Sequence, residues 1–156
     1  MQLTDIITPQ TIKVPLAGAD KHAVIDELLE LLAEHGRVTD LEAVKQSVWQ
    51  REATRTTGIG HGLAIPHGKS AGVDKLVMAI GKPATPIEYG SIDGKPVGLI
   101  FLLASPPDQT TPHIQALARV SRLMMRPDVR AAMMNAPSAS TIYELIVREE
   151  SAVPVQ

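Results

Sequence analysis

Cysteine is absent from this 156-residue sequence. Without a thiol there is no disulfide, no thiol catalysis and no cysteine-ligated metal, and the composition suits a reducing compartment. Aromatic side chains are almost missing: one Phe, two Tyr and one Trp. The core therefore has to be built from Leu, Ile, Val, Ala and Met. Neither sign of charge dominates, since 15 basic residues face 17 acidic ones. No basic tract marks a nucleic-acid surface. Long apolar runs are lacking too. "VGLIFLLA", Val97 to Ala104, is far too short to cross a bilayer as a helix and reads as a buried strand. The opening "MQLTDIITPQ" has neither the basic start nor the apolar run of a signal peptide. A cytoplasmic location is the expectation.

What is present suits a globular domain. Hydrophobic residues make up 44% of the chain, enough for a sizeable core at this length. We expect one domain over residues 1–150 and a frayed tail, "SAVPVQ", at 151–156. "TIKVPL" (11–16) reads as a short strand. Asp20 is placed to cap a helix running to His35, with Val24, Leu28, Leu31 and Leu32 inward and Gly36 just past its end. Thr39 and Glu42 have the spacing of a capping box for a second helix. Leu41, Val44 and Val48 form its inner stripe, and it reaches Arg51, Glu52 and Arg55. "LAIP", "KLVMAIG" and "VGLIFLLA" read as strands. The proline-rich segment between the last two reads as a surface connection. From "TTPH" onward the pattern is helical, with Ile114, Leu117, Ser121 and Met124 on one face. Two shorter helices follow, the last with Thr141 and Glu144 as a capping box. The expected fold class is α/β: a mixed central sheet with helices on both faces.

One stretch stands apart: "TTGIGHGLAIPHGKS", Thr56 to Ser70. Its glycines, Gly58, Gly60, Gly62 and Gly68, permit positive φ and close approach of a ligand. Successive N–H groups in such a loop can bind an anion. His67 lies between Pro66 and Gly68, which suits an imidazole fixed beside those donors. A tight turn with an incidental histidine remains the alternative. His113 follows Thr111-Pro112, a cap-and-first-turn pair, so it belongs to the first turn of a helix. That end attracts anions and disfavours a protonated imidazole. Arg51 lies at the edge of an apolar stripe, where it is either a packed stem or a cation aimed at an anion. Glu52 shares that face and could orient Arg51 or Arg55. His22 and His35 read as surface residues. Two histidines, an arginine and a glycine-rich loop point to phosphoryl chemistry. No Walker motif or kinase signature implies ATP, no G-x-S-x-G elbow implies a serine hydrolase, and no zinc ligand set accompanies the histidines. No cofactor is expected.

"TTGIGHGLAIPHG" resembles the active-site signature of EIIA domains of the phosphoenolpyruvate-dependent phosphotransferase system, of the fructose/mannitol and nitrogen-regulatory type. "WQREATRTTGIG" and "ASPPDQTTPHIQALARVSRLM" extend the likeness over nearly the whole chain. His113 stands 46 residues after His67, and Arg51 stands 16 before it. The resemblance implies that His67 is transiently phosphorylated, that His113 assists by hydrogen bonding, and that Arg51 helps hold the phosphoryl group. It implies an HPr-like phosphohistidine protein as donor, and Ile59 and Leu63 as candidates for the docking ring. His61 departs from the family, whose nitrogen-regulatory members commonly carry Asn there; it reads as a solvent-exposed substitution. The motif looks closer to the nitrogen-regulatory branch, and a lone domain leans the same way. The alternatives are a sugar-specific EIIA that passes phosphate to an EIIB, and a binding module that has lost the chemistry.

Overall fold

Two apolar segments make the middle of the sheet. The computed structural model describes residues 1–152. Two 3-10 turns (Leu3–Asp5, Pro9–Thr11) precede β1 (Ile12–Leu16), α1 (Lys21–Glu34), α2 (Leu41–Thr54), β2 (Gly58–Gly60), β3 (Leu63–Ala64) and β4 (His67–Lys69). Then come β5 (Val77–Pro83), β6 (Leu99–Ser105), α3 (Thr110–Met124), α4 (Pro127–Asn135) and α5 (Ala139–Ala152). The strand order is β1-β5-β6-β3-β2, with β4 also paired to β6. β5 and β6 are antiparallel, while β1 runs parallel to β5. β3 pairs in parallel with Leu99 and Ile100, and β4 pairs in parallel with Leu103 to Ser105. β3 and β4 are thus two pieces along one edge of β6.

Side chains alternate between the faces of a strand, and β6 uses both faces for the core. Leu99, Phe101 and Leu103 pack with Ala116, Val120, Met133, Ile142 and Ile146 of α3, α4 and α5. Ile100, Leu102 and Ala104 pack with Val24, Leu28, Val44 and Val48 of α1 and α2. All seven residues of β6 are buried, which is why its sequence is unbroken apolar from Leu99 to Ala104 rather than alternating. The expected mixed sheet between helical layers is the fold observed.

Several local expectations need correction. Asp20 caps α1 by accepting from the Ala23 N–H at 2.8 Å, and Gly36 follows with φ +69°. α2, however, is capped by Asp40, which accepts from the Ala43 N–H at 3.2 Å. Thr39 is unavailable because its hydroxyl and N–H both donate to the Gly72 carbonyl. α3 begins at Thr110 with Gln109 as its N-cap, so Thr111 and Pro112 lie inside the first turn. Its buried stripe is His113, Ala116, Val120, Leu123 and Met124, whereas Ile114 is 59% exposed. The helix is turned so that His113, held by Ser105, faces the sheet. At α5, Ser138 Oγ rather than Thr141 accepts an N–H, that of Thr141, at 3.2 Å. The segment before β6 is no mere surface loop: Ile87 and Tyr89 are buried, and Ile87 bridges to Val97. Ser151 and Ala152 belong to α5; the rest of the expected tail, 153–156, lies outside the described residues. Among the described residues no helix is long and apolar enough to cross a membrane.

Candidate active site

Strand register assembles the site. His67 pairs with Leu103, Gly68 with Ala104 and Lys69 with Ser105. Paired residues of neighbouring strands project to the same face. Leu103 belongs to the α3 side, so His67, Lys69 and Ser105 all face the start of α3, where His113 sits. Gly68 faces α2, and a Cβ there would stand 2.8 Å from Ser47 Oγ and 2.9 Å from the Val48 nitrogen. Glycine is needed for α2 to lie directly on β4. Among the described residues β4 pairs with β6 alone, so His67 stands on an edge strand and is only half-buried.

The imidazole of His67 has a fixed orientation. Its Nδ1 lies 2.8 Å from the Ile65 carbonyl oxygen. A carbonyl can only accept, so Nδ1 carries the proton and the neutral ring keeps a free lone pair on Nε2. Burial pushes the pKa of His67 below the ordinary histidine value. The Ile65 bond and Glu52 oppose that shift, while Arg51 and Lys69 reinforce it. His113 lies edge-on, with 5.4 Å between ring centroids and 65° between planes. It is 3% exposed, and its Nδ1 is 2.6 Å from the hydroxyl of Ser105. Burial first, then repulsion from His67 when that ring is protonated and from Lys69, pushes its pKa down to about 4. Both rings are therefore neutral at neutral pH, as nucleophilic attack requires of one of them. Burial, rather than the helix terminus invoked from sequence, leads the effect on His113.

Arg51 lies in the last turn of α2, half-buried, and donates through Nη1 to the Arg55 carbonyl at 2.9 Å. Its positive charge is one of the lesser causes that lower the pKa of His67. Glu52 does not orient either arginine. It is 6% exposed and accepts from the Thr57 N–H at 3.1 Å and the Thr57 hydroxyl at 2.9 Å. It also pairs with Lys21 at 3.0 Å. Tyr89 closes this cluster at 2.9 Å from Thr57 Oγ1. The network fastens the turn out of α2, and Arg55 stays exposed.

The glycine-rich loop is not the anion nest expected of it. Gly60, His61 and Gly62 have φ of +97°, +58° and +76°, and they build the turn between β2 and β3. Leu63 of that hairpin pairs with Leu99, whereas His67 pairs with Leu103. Four residues along β6 is about 13 Å at ~3.3 Å per residue. The turn at Gly60 and Gly62 is too far along the sheet to cradle a group on His67. At Gly58 a Cβ would stand 2.4 Å from Ser91 Oγ, so that glycine serves packing. Of the four, Gly68 is the one that adjoins His67 on β4. Leu63 is 2% exposed and belongs to the core rather than to a docking ring, while Ile59 is on the surface at 39%. His61 is exposed, and its N–H donates to Asp93 at 3.2 Å. Asn and His are both enriched among non-glycine residues at positive φ, which accounts for the exchange.

Two site residues escaped the sequence reading. Lys69 donates to Thr110 Oγ1 at 3.0 Å, bridging β4 to α3, and Ser105 holds His113. Had "HGK" been read as a strand, the period of two would have placed Lys69 beside His67. Among the described residues no His, Cys, Asp or Glu cluster is built to hold a metal.

The family model for the phosphoenolpyruvate-dependent sugar phosphotransferase system, EIIA 2, matches residues 5–149. The chain belongs to this EIIA family. It is 36% identical over 149 residues to the fructose-specific EIIA component of Haloferax volcanii, covering 94% of this chain and 97% of that one. It is 34% identical over 146 residues to a nitrogen regulatory protein of Bradyrhizobium diazoefficiens, covering 94% and 95%. At 36% identity it also matches the fructose-specific EIIABC component of Bacillus subtilis, with 94% of this chain spanning 23% of that longer protein. The crystal structure of IIA-Ntr from Neisseria meningitidis superposes with a TM-score of 0.84 at 29% identity, over 91% of this chain and 97% of that one. EIIA domains are phosphotransfer proteins, and that general role extends to this EIIA chain.

Proposed function

We propose that this EIIA chain is a phosphohistidine carrier that accepts a phosphoryl group on Nε2 of His67 from an HPr-like protein. The observation that carries the reading is the Nδ1 bond to the Ile65 carbonyl. It leaves Nε2 as the only nucleophilic nitrogen of a ring on an edge strand. In the transfer, the Nε2 lone pair forms a bond to phosphorus as the donor's phosphorus–nitrogen bond breaks. The donor imidazole keeps that electron pair. Positive charge left on His67 is shared with Nδ1–H and its carbonyl. In this reading Arg51, Lys69 and His113 supply the acceptor with a guanidinium, an ammonium and a ring N–H. Such groups stabilise the spread charge of a transferring phosphoryl group by position alone. Neither nucleotide nor metal enters this scheme. A cytoplasmic location fits a carrier with a soluble protein donor.

For output, we favour regulation of partner proteins by phosphorylation state. The backbone match to IIA-Ntr and the form of the motif support this. The fructose-specific relative at 36% identity supports a second reading, in which the phosphoryl group passes to an EIIB during sugar uptake. Incubation with phosphoenolpyruvate, Enzyme I and the HPr-like donor should add one acid-labile phosphate, and His67→Ala should abolish it. Pull-downs with wild type and His67→Glu then separate the outputs. Regulation is abandoned if the only state-dependent partners are an HPr-like donor and an EIIB.

A further inference from the structure

We infer that Ser105 is a positioning residue: its hydroxyl donates to Nδ1 of His113 and holds that ring as the tautomer whose Nε2 carries the proton. Ser105 is fully buried, His113 is 3% exposed, and the two atoms are 2.6 Å apart. Either atom could in principle supply the proton, and burial decides between them. Among the described residues, Ser105 Oγ hydrogen-bonds to nothing other than His113. If Nδ1–H donated to Oγ, the serine proton would be buried without an acceptor. If the hydroxyl donates, its proton and the Nδ1 lone pair are both satisfied, and the remaining ring proton goes to Nε2.

The fold makes this pairing part of the same device that sets His67. Ser105 lies two residues beyond Leu103 on β6, hence on the same face, and Leu103 is the register partner of His67. The serine backbone is pinned as well, since its carbonyl accepts from the Ser70 N–H at 2.8 Å. The consequence concerns charge. A ring with Nε2–H offers a donor to an anionic group on His67, 5.4 Å away between centroids. The other tautomer would turn a lone pair toward the same oxygens and repel them. This consequence for transfer rests on His67 being the acceptor; the tautomer itself does not.

The test is nitrogen NMR on protein carrying 15N-histidine, paired with single-turnover transfer from the phosphorylated HPr-like donor. In the wild type, His113 should show a pyridine-like Nδ1, moved upfield by an accepted hydrogen bond, and a pyrrole-like Nε2. Ser105→Ala should lose that upfield displacement and transfer ~10-fold more slowly, the rate equivalent of one net hydrogen bond. Ser105→Thr, which keeps the hydroxyl, should recover most of both. A pyrrole-like Nδ1 in the wild type overturns the inference. So does a Ser105→Ala protein with wild-type rate and an unchanged Nδ1 signal. If the wild type shows the expected ring but takes no phosphate on His67, the acceptor reading falls and the tautomer assignment stands.

Discussion

His113 has to remain neutral beside a second imidazole and a lysine, and burial does most of that work. Its folded pKa of about 4 lies below the ordinary 6.5, so on acidification the unfolded chain takes up this proton first. The stability that His113 contributes is complete above about pH 6.5, falls as the pH drops toward about 4, and is flat below that. Urea midpoints measured from pH 7 to 4 should decline through this window. The decline should be shallower in His113→Gln, and parallel curves would remove His113 as a cause. His67 is also shifted downward. Its phosphoryl acceptance should therefore stay level through neutral pH and fail only below the usual histidine range. A pH–rate profile from single turnovers checks this. At this scale His67, His113 and Arg51 stood out as candidates from their sequence setting, and the resemblance gave them roles. Ser105 and Lys69 were not, because their roles come from a strand register that no short motif reveals.

At the scale of elements, legibility followed length. β5 and β6 are seven residues each, and each opens on an unbroken apolar run, Val77 to Ile80 and Leu99 to Ala104, so they declared themselves. β2 and β4 are three-residue strands, GIG and HGK, and glycine hides a strand as readily as it marks a loop. That ambiguity produced the nest expectation. The glycines of the hairpin and of β4 should therefore behave differently when replaced. Gly62→Ala, at φ +76°, should lose about 1 kcal/mol of stability and transfer normally per folded molecule. Gly68→Ala meets the α2 backbone at 2.9 Å and should push away the helix that bears Arg51. Transfer should then fall roughly 10-fold or more. Chemical denaturation and single-turnover rates on both variants decide the matter. A transfer defect in Gly62→Ala with normal folding would restore the nest.

For the whole molecule, the sheet divides its labour. The faces of β6 bury two helical layers, and among the described residues β4 leaves an edge of the sheet unpaired. Ile59, Ile114 and Met125 are exposed apolar residues, at 39%, 59% and 75%. Ile114 adjoins His113 in sequence and faces outward. Ile114→Asp should weaken docking of the HPr-like donor and slow transfer at limiting donor, with thermal stability unchanged; titrating the rate against donor concentration reads this as a raised half-saturation point. A phosphoryl group on His67, as proposed, would add about two negative charges at this edge, enough to change affinity for a partner that buries it against acidic groups. The central claim is narrower than either output. It is that the Ile65 carbonyl leaves Nε2 of His67 as the acceptor atom. The most direct measurement is phosphorus–nitrogen coupling in phosphorylated, 15N-histidine-labelled protein. The account predicts a single phosphohistidine, with phosphorus coupled directly to Nε2 of His67. Coupling to Nδ1 of His67, or to either nitrogen of His113, would contradict it.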